Sequence, residues 1–311
     1  MKLRHVLGGA AASVGGTVLA NRLLAARARD TDPFLGGDHG TYRWRGFDVD
    51  YAEAGDPGDP DVLLLHGINA AASNHEFWRV FEDLATDHHV LAPDLPGFGQ
   101  SDRPPLLYSE ALYVTFVRDA IGDLTDEPPV VVASSLTGSY AALAADEVPV
   151  ADLLLVCPTT DTMGSRSVPL RTLLRSPVLG QALFNIVGSR ASIRRSQADH
   201  GYFDPTNLPA EVVDYEWAMA HQPGARFAPA SFFTGFLDPD EDLGAALAGL
   251  EAPVTLVWGR EASTTPLSRG RDLADRADAR LVVFDDAALL PHVEHPDRFL
   301  EVIRGGVRPD V

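Results

Sequence analysis

The stretch Val130-Val131-Val132-Ala133-Ser134-Ser135-Leu136-Thr137-Gly138 decides how this chain is read. A run that is apolar at every position fits a strand buried on both faces. It passes through two serines into a segment that reads as helix. A serine on such a sharp strand-to-helix turn exposes its Oγ, and the following helix N-terminus supplies positive potential. Residues two positions to either side must be small, because chain segments approach closely there. Ala133 meets that condition and Thr137 meets it less well. The same string also fits an ordinary serine N-cap.

Upstream, His66-Gly67-Ile68-Asn69 follows the apolar strand Val62–Leu65. A His-Gly step there shapes a loop whose next backbone N–H, on Ile68, faces a developing oxyanion. The Leu136 N–H is the second donor. The strand His89–Ala92 ends in Asp94-Leu95-Pro96-Gly97-Phe98-Gly99-Gln100-Ser101-Asp102-Arg103-Pro104, a turn-rich rim. Gly97 and Gly99 belong to that rim and not to a dinucleotide fingerprint.

Thr41–Phe47 and Asp48–Ala54 read as a strand pair, and Ala151–Val156, Val254–Trp258 and Arg280–Phe284 as further strands. Helices are expected at Glu76–Ala85, from a Ser109 cap to Asp123, at Leu136–Asp146, after Thr265 and after Pro296. Short apolar strands alternating with helices specify an α/β fold, a mostly parallel twisted sheet with helices on both faces. Between Thr159 and Pro239 this rhythm breaks. Helices are expected there at Leu170–Val187 and Ala210–Met219, beside a basic cluster of Arg190, Arg194 and Arg195. The division is an N-terminal segment (1–39), the first part of the core (40–158), a helical cap (159–239) and the second part of the core (240–311).

In this order the segments resemble the α/β-hydrolase fold family. The likeness is to its capped branch of epoxide hydrolases, haloalkane dehalogenases, carbon–carbon bond hydrolases and esterases. The resemblance covers about Thr41 to Gly305 and rests on the His-Gly strand end, the Asp-Leu-Pro-Gly-Phe-Gly-x-Ser-Asp stretch and the serine elbow. It implies Ser135, rather than Ser134, as nucleophile and a cap at Thr159–Pro239. It leaves the substrate open, because one fold carries many chemistries.

A serine nucleophile needs a base, and the base needs an orienting acid. The family places the acid just after the strand ending in Trp258-Gly259, where this chain has Ala262 with Glu261 beside it. Asp161, after the preceding strand, is the other candidate acid. The family's histidine position falls on Leu289, which cannot accept a proton. His292, three residues on, is the leading substitute base. The plainer reading makes it a structural histidine at the start of the last helix, paired with backbone or with Glu294. His66 and Gly67 are read as shaping the oxyanion loop, and His295 as facing solvent. Asn69, His75 and Trp78 are candidates for the pocket wall, and His200 and His221 lie in the expected cap.

The composition bounds these readings. The chain has 311 residues, 45% of them apolar, enough for a large α/β core. Its net charge of -19 argues against nucleic acid and anionic lipid as nonspecific partners. A single cysteine, Cys157, excludes an intrachain disulfide framework and a cysteine-based zinc site. With the histidines scattered, no metal or organic cofactor is implied.

The acids divide into 31 Asp and 13 Glu, the bases into 24 Arg and one Lys. That bias fits a salt-rich cytoplasm, where screening relieves self-repulsion. A GC-rich genome would explain the missing lysines alone. Near the N-terminus the uncharged run Val6–Ala20 is 15 residues long, short of the roughly 17–25 a spanning helix needs. It reads as a cytoplasmic helix, a weak membrane anchor or a targeting segment, the first slightly preferred.

Two functions follow. One is a hydrolase acting on a small, mostly apolar ester, thioester or activated carbonyl. The other is a catalytically silent protein that kept the fold and pocket and binds a small molecule. The sequence does not specify an oligomeric state.

Overall fold

The computed structural model describes residues 3–28 and 31–305, with side chains from Gly15 onward. Met1, Lys2, Arg29, Asp30 and residues 306–311 lie outside the described residues. They fall in the expected segments 1–39 and 240–311. The side chains of residues 6–14, in the Val6–Ala20 run, are outside them too.

Among the described residues eight strands form one sheet: β1 (Asp38–Trp44), β2 (Phe47–Ala54), β3 (Asp61–Leu65), β4 (His89–Pro93), β5 (Val130–Ser134), β6 (Asp152–Val156), β7 (Val254–Gly259) and β8 (Arg280–Phe284). Their order is β1-β2-β4-β3-β5-β6-β7-β8. The β1–β2 and β2–β4 pairs are antiparallel, and every later pairing is parallel. The β1–β2 turn falls on Arg45-Gly46, both at positive φ (44° and 95°), and not at the expected Phe47/Asp48 junction. A two-residue hairpin turn whose twist matches the strands needs that conformation at both positions.

The helices are α1 (Leu3–Ala28), α2 (Phe81–Leu84), α3 (Glu110–Leu124), α4 (Ser135–Ala144), α5 (Val168–Arg175), α6 (Leu179–Val187) and α7 (Arg190–Ser196). They continue with α8 (Ala210–Ala220), α9 (Phe227–Phe232), α10 (Leu243–Ala248), α11 (Leu267–Ala277), α12 (Pro291–Glu294) and α13 (Pro296–Ile303). Strand periodicity sorts the core into two layers. Leu63, Val131, Ala133, Leu153 and Leu155 join Phe116 of α3 and Tyr140 of α4 on one face. Val62, Leu64, Val132, Leu154 and Val156 join Phe81 of α2 and Phe299 of α13 on the other. Successive strand residues point to opposite faces, so strands apolar throughout feed both layers at once.

Ser109 caps α3 as expected, accepting from the Leu112 N–H at 3.4 Å. Two expected helices are broken. Glu76–Ala85 resolves into a 3₁₀ turn, Asn74–Phe77, and the short α2. Leu170–Val187 is cut into α5 and α6, with Ser176-Pro177-Val178 between them. Proline lacks the N–H and clashes with the preceding turn, so it does not sit inside a helix without kinking or breaking it.

Helix α1 lies along α6 and α8. Asn21 donates to the Val178 carbonyl and accepts from Asn185 at 2.8 Å, and the Ala28 carbonyl accepts from Gln222 and from Thr31. Among the described residues no helix is long and apolar enough to cross a membrane.

Candidate active site

Ser135 opens α4 directly after β5 with φ of 53°, in the left-handed region that a non-glycine residue rarely adopts. Such a residue costs on the order of 1–3 kcal/mol and persists only where the surroundings enforce it. Gly67 helps to enforce it. A Cβ on Gly67 would lie 3.3 Å from Ser134 Oγ and 3.4 Å from Ser135 Cβ, so the loop after β3 sits directly against the elbow. Thr137, the neighbour that meets the small-residue condition less well, donates its hydroxyl to the His66 carbonyl at 2.7 Å.

His66 is fully buried. Its Nε2 accepts the Leu95 N–H at 3.0 Å, so Nδ1 carries the proton and donates to the Gly67 carbonyl at 2.7 Å. Burial pulls its pKa down, in keeping with a neutral ring. His66 thus ties the β3 loop to the rim after β4. The rim is pinned from within by the buried Asp94, which accepts from the Asn74 and Gln100 N–H groups at 2.7 and 2.6 Å.

Ser135 opens into a cavity of about 530 Å³. Ile68, Asn69, His75 and Trp78 line it, as does Asp161; Leu136 does not, being fully buried in α4. His75 is held on both sides, with Nδ1 2.6 Å from Ser73 Oγ and Nε2 3.4 Å from Glu216 Oε1. His200 also lines the cavity, from an exposed turn, whereas His221 lies outside it. No hydrogen bond joins the Ser135 side chain to an imidazole among the described residues.

Two candidates sit differently from their sequence reading. His292 is fully buried, packs between Phe77 and Phe299, and does not line the cavity. Its charged neighbour is Glu76, with Nε2 3.4 Å from Oε1, and not Ser135 or Glu294. Glu294 instead accepts the Ala288 and Phe203 N–H groups. Glu261 is exposed and also misses the cavity; it accepts the Ala287 N–H at 3.2 Å, while its own N–H donates to the Ala287 carbonyl at 3.0 Å. It is a clamp on the loop after β8. His295 is half-buried, with Nε2 3.0 Å from the Asp286 carbonyl in an exposed contact.

The loop after β8 is held down at Gly259, where a Cβ would stand 1.9 Å from the Ala288 carbonyl oxygen. That approach brings Leu289 and Leu290 to the cavity wall. Ala262 is buried in the same apolar cluster that Leu289 packs against. Asp161 is exposed and occupied with the Gly164 N–H at 3.3 Å.

The residue that sequence reading missed is Glu76, on the turn after the β3 loop. Its Oε2 accepts the Gly67 N–H at 2.8 Å, and it hydrogen-bonds Ser134. Burial alone would push this carboxyl up, but His292, Ser134 and the Gly67 N–H outweigh it and hold it at about 2. Glu216 was missed too. It binds Gln197 at 2.5 Å and faces His75, joining the loop after β3 to α8. Neither had a signal in the sequence, since their partners are remote along the chain.

The sequence pattern of the Alpha/beta hydrolase family matches residues 62–302, and the chain belongs to that family. It is 28% identical over 251 residues to 2-hydroxymuconate semialdehyde hydrolase of Pseudomonas sp. (strain CF600), covering 78% of this chain and 84% of that one. It is 27% identical to a pimeloyl-[acyl-carrier protein] methyl ester esterase of Aeromonas salmonicida (strain A449), over 79% of this chain and 94% of that one. Among solved structures it resembles 2-hydroxy-6-oxo-6-phenylhexa-2,4-dienoate hydrolase from Rhodococcus sp. strain RHA1. That likeness has a TM-score of 0.68 at 23% identity and covers 88% of this chain and 99% of that one. The homologues thus include carbon–carbon hydrolases and esterases.

Proposed function

We propose that this chain is a hydrolase-family protein that binds a small, largely apolar carbonyl compound over Ser135 without turning it over by a serine–histidine relay. The carrying observation is the apolar pair Ala262 and Leu289 in one cluster, with His292 buried against Glu76. Residues 159–239 form the cap in this reading, because Thr162, Ile193, Val212 and Phe232 close over the ligand. Ile68 offers its N–H to the carbonyl oxygen, and Asn69 meets the polar end. Glu76, a carboxylate packed against the elbow, is a poor proton acceptor. At about 2 it lies roughly four units below an ordinary imidazole.

A second reading keeps Ser135 as a slow nucleophile toward an ester, thioester or activated carbonyl. Its support is the positive φ retained at Ser135. One experiment separates the two. The protein, kept in molar potassium chloride, is treated with a fluorophosphonate probe and with p-nitrophenyl butyrate, beside Ser135→Ala. The binding reading expects an unlabelled Ser135, equal background turnover in both proteins and a ligand-induced rise in melting temperature in both. An acyl or phosphonyl adduct on Ser135, found by mass spectrometry and absent from the variant, overturns it.

A further inference from the structure

The charges of this chain are unevenly placed. From Thr162 to Ala198 there is no Asp or Glu, although the chain holds 44 of them, and there are six Arg. Residues 1–29 likewise contain no acid and hold Lys2 and four Arg. Against a net charge of -19, these are two cationic islands.

The first island folds into α5, α6 and α7, and it is also where apolar side chains face water. On α5, Val168, Leu170 and Leu173 are 57%, 42% and 42% exposed. On α6, Leu179, Leu183 and Ile186 are 63%, 40% and 67% exposed, and their i, i+4, i+7 spacing places them on one helix face. The two helices adjoin, and Gly180 has no room for a Cβ beside the Leu173 and Leu174 carbonyls. Arg175 extends the patch by donating to the Pro105 and Leu106 carbonyls, which ties in the exposed Leu106 and Leu107. Large apolar side chains exposed on two adjoining helices are a candidate interaction face.

Half of the six arginines are neutralised: Arg166, Arg190 and Arg195 pair with Asp240, Asp214 and Asp199. No ion pair among the described residues involves Arg171, Arg175 or Arg194. Arg171 lies over the Phe236 ring, 3.4 Å from its centre.

We propose that the α5–α6 face docks this protein on an anionic lipid bilayer. Leucines and Ile186 would enter the acyl boundary, and the arginines would meet phosphate headgroups. Apolar burial joined to cationic attraction is the physics of interfacial helices. A self-complementary dimer through the same face would oppose arginines to arginines. The expected membrane contact lay in residues 6–20; this one lies in different residues and spans nothing. Val187, at the end of α6, lines the cavity, so one helix separates the lipid-facing patch from the ligand site.

The test is co-sedimentation of the full chain with vesicles of phosphatidylglycerol or of phosphatidylcholine, at low and molar salt. The variants are Leu183→Glu/Ile186→Glu and Arg171→Glu/Arg194→Glu, each checked by thermal melting. Binding to phosphatidylglycerol should exceed that to phosphatidylcholine at low salt, and both variants should lose at least tenfold in partitioning. Three results overturn the proposal: no binding to either vesicle, binding that both variants retain, or a concentration-dependent dimer that the Leu183→Glu/Ile186→Glu pair abolishes without vesicle binding. The readout is independent of turnover and of ligand binding at Ser135.

Discussion

The Glu76 carboxylate stands 3.4 Å from the His292 imidazole in the floor beneath the serine elbow. Where the family's relay would run from serine to an imidazole at position 289, this chain runs from Ser134 to a carboxylate and then to an imidazole. Apart from Glu76, neither His292 nitrogen has a polar partner among the described residues. His292 therefore depends on Glu76, whereas Glu76 lies at the cavity wall and is also held by the Gly67 N–H.

Removing one partner leaves the other buried and uncompensated, which typically costs about 3–5 kcal/mol. Glu76→Ala also strips the acceptor from the Gly67 N–H and from Ser134. Denaturant unfolding at fixed high salt should show Glu76→Ala losing stability in that range. Glu76→Gln should lose less, because its amide oxygen can still accept the Gly67 N–H. A loss under about 1 kcal/mol in Glu76→Ala would mean the pair carries no such strain.

The same carboxylate sets an acid limb of stability. Its folded pKa is about 2 against an ordinary 4.5, so between those values the unfolded chain takes up the proton first. Stability from Glu76 is present above about 4.5 and is lost as pH falls toward 2. Asp50 has the opposite sign. Burial and the nearby Asp94 raise it to about 6, so its folded form keeps the proton longer and stability declines as pH climbs from 3.8 to 6. Melting curves against pH should show Glu76→Gln flattening the lower window and Asp50→Asn the upper. An unchanged profile in either variant contradicts its assignment.

How far the sequence carried depends on the range of the interaction. Strands β3, β5 and β6 were legible because burial on both faces demands apolar residues throughout, and their neighbours in sequence report that directly. The break at Pro177 was also visible in principle, yet helical periodicity on either side concealed it. Glu76 was not legible. It sat in a run that reads as helix, and its partners Gly67, Ser134 and His292 come from three separate loops or strand ends. Ala262 and Leu289 were conspicuous against the family pattern, but only the approach of the β8 loop at Gly259 sets Leu289 on the cavity wall.

The elbow makes a separate prediction about strain. Ser135 at φ 53° carries a backbone penalty that glycine does not. Ser135→Gly should melt at or above the parent, with a gain of up to about 1 kcal/mol once glycine's extra unfolded-state entropy is counted. Ser135→Val should lose more than that, since a β-branched residue tolerates positive φ least. If Ser135→Gly melts several degrees lower, the side chain is stabilising the elbow and the strain argument fails.

The last prediction reverses the sequence change that argues most strongly against turnover. Leu289 already lines the cavity on a loop clamped by Glu261 and Gly259, so Leu289→His presents an imidazole there without rebuilding the backbone. Ala262→Asp supplies the orienting acid from the same apolar cluster. General base catalysis contributes roughly 10²–10⁴-fold when the base is in reach. The double variant should therefore hydrolyse p-nitrophenyl butyrate at least a hundredfold faster than the parent, and fluorophosphonate should label Ser135. Adding Ser135→Ala to it should remove both. A double variant that folds but stays as slow as the parent would locate the block elsewhere, in the oxyanion loop or in the Glu76–Ser134 contact.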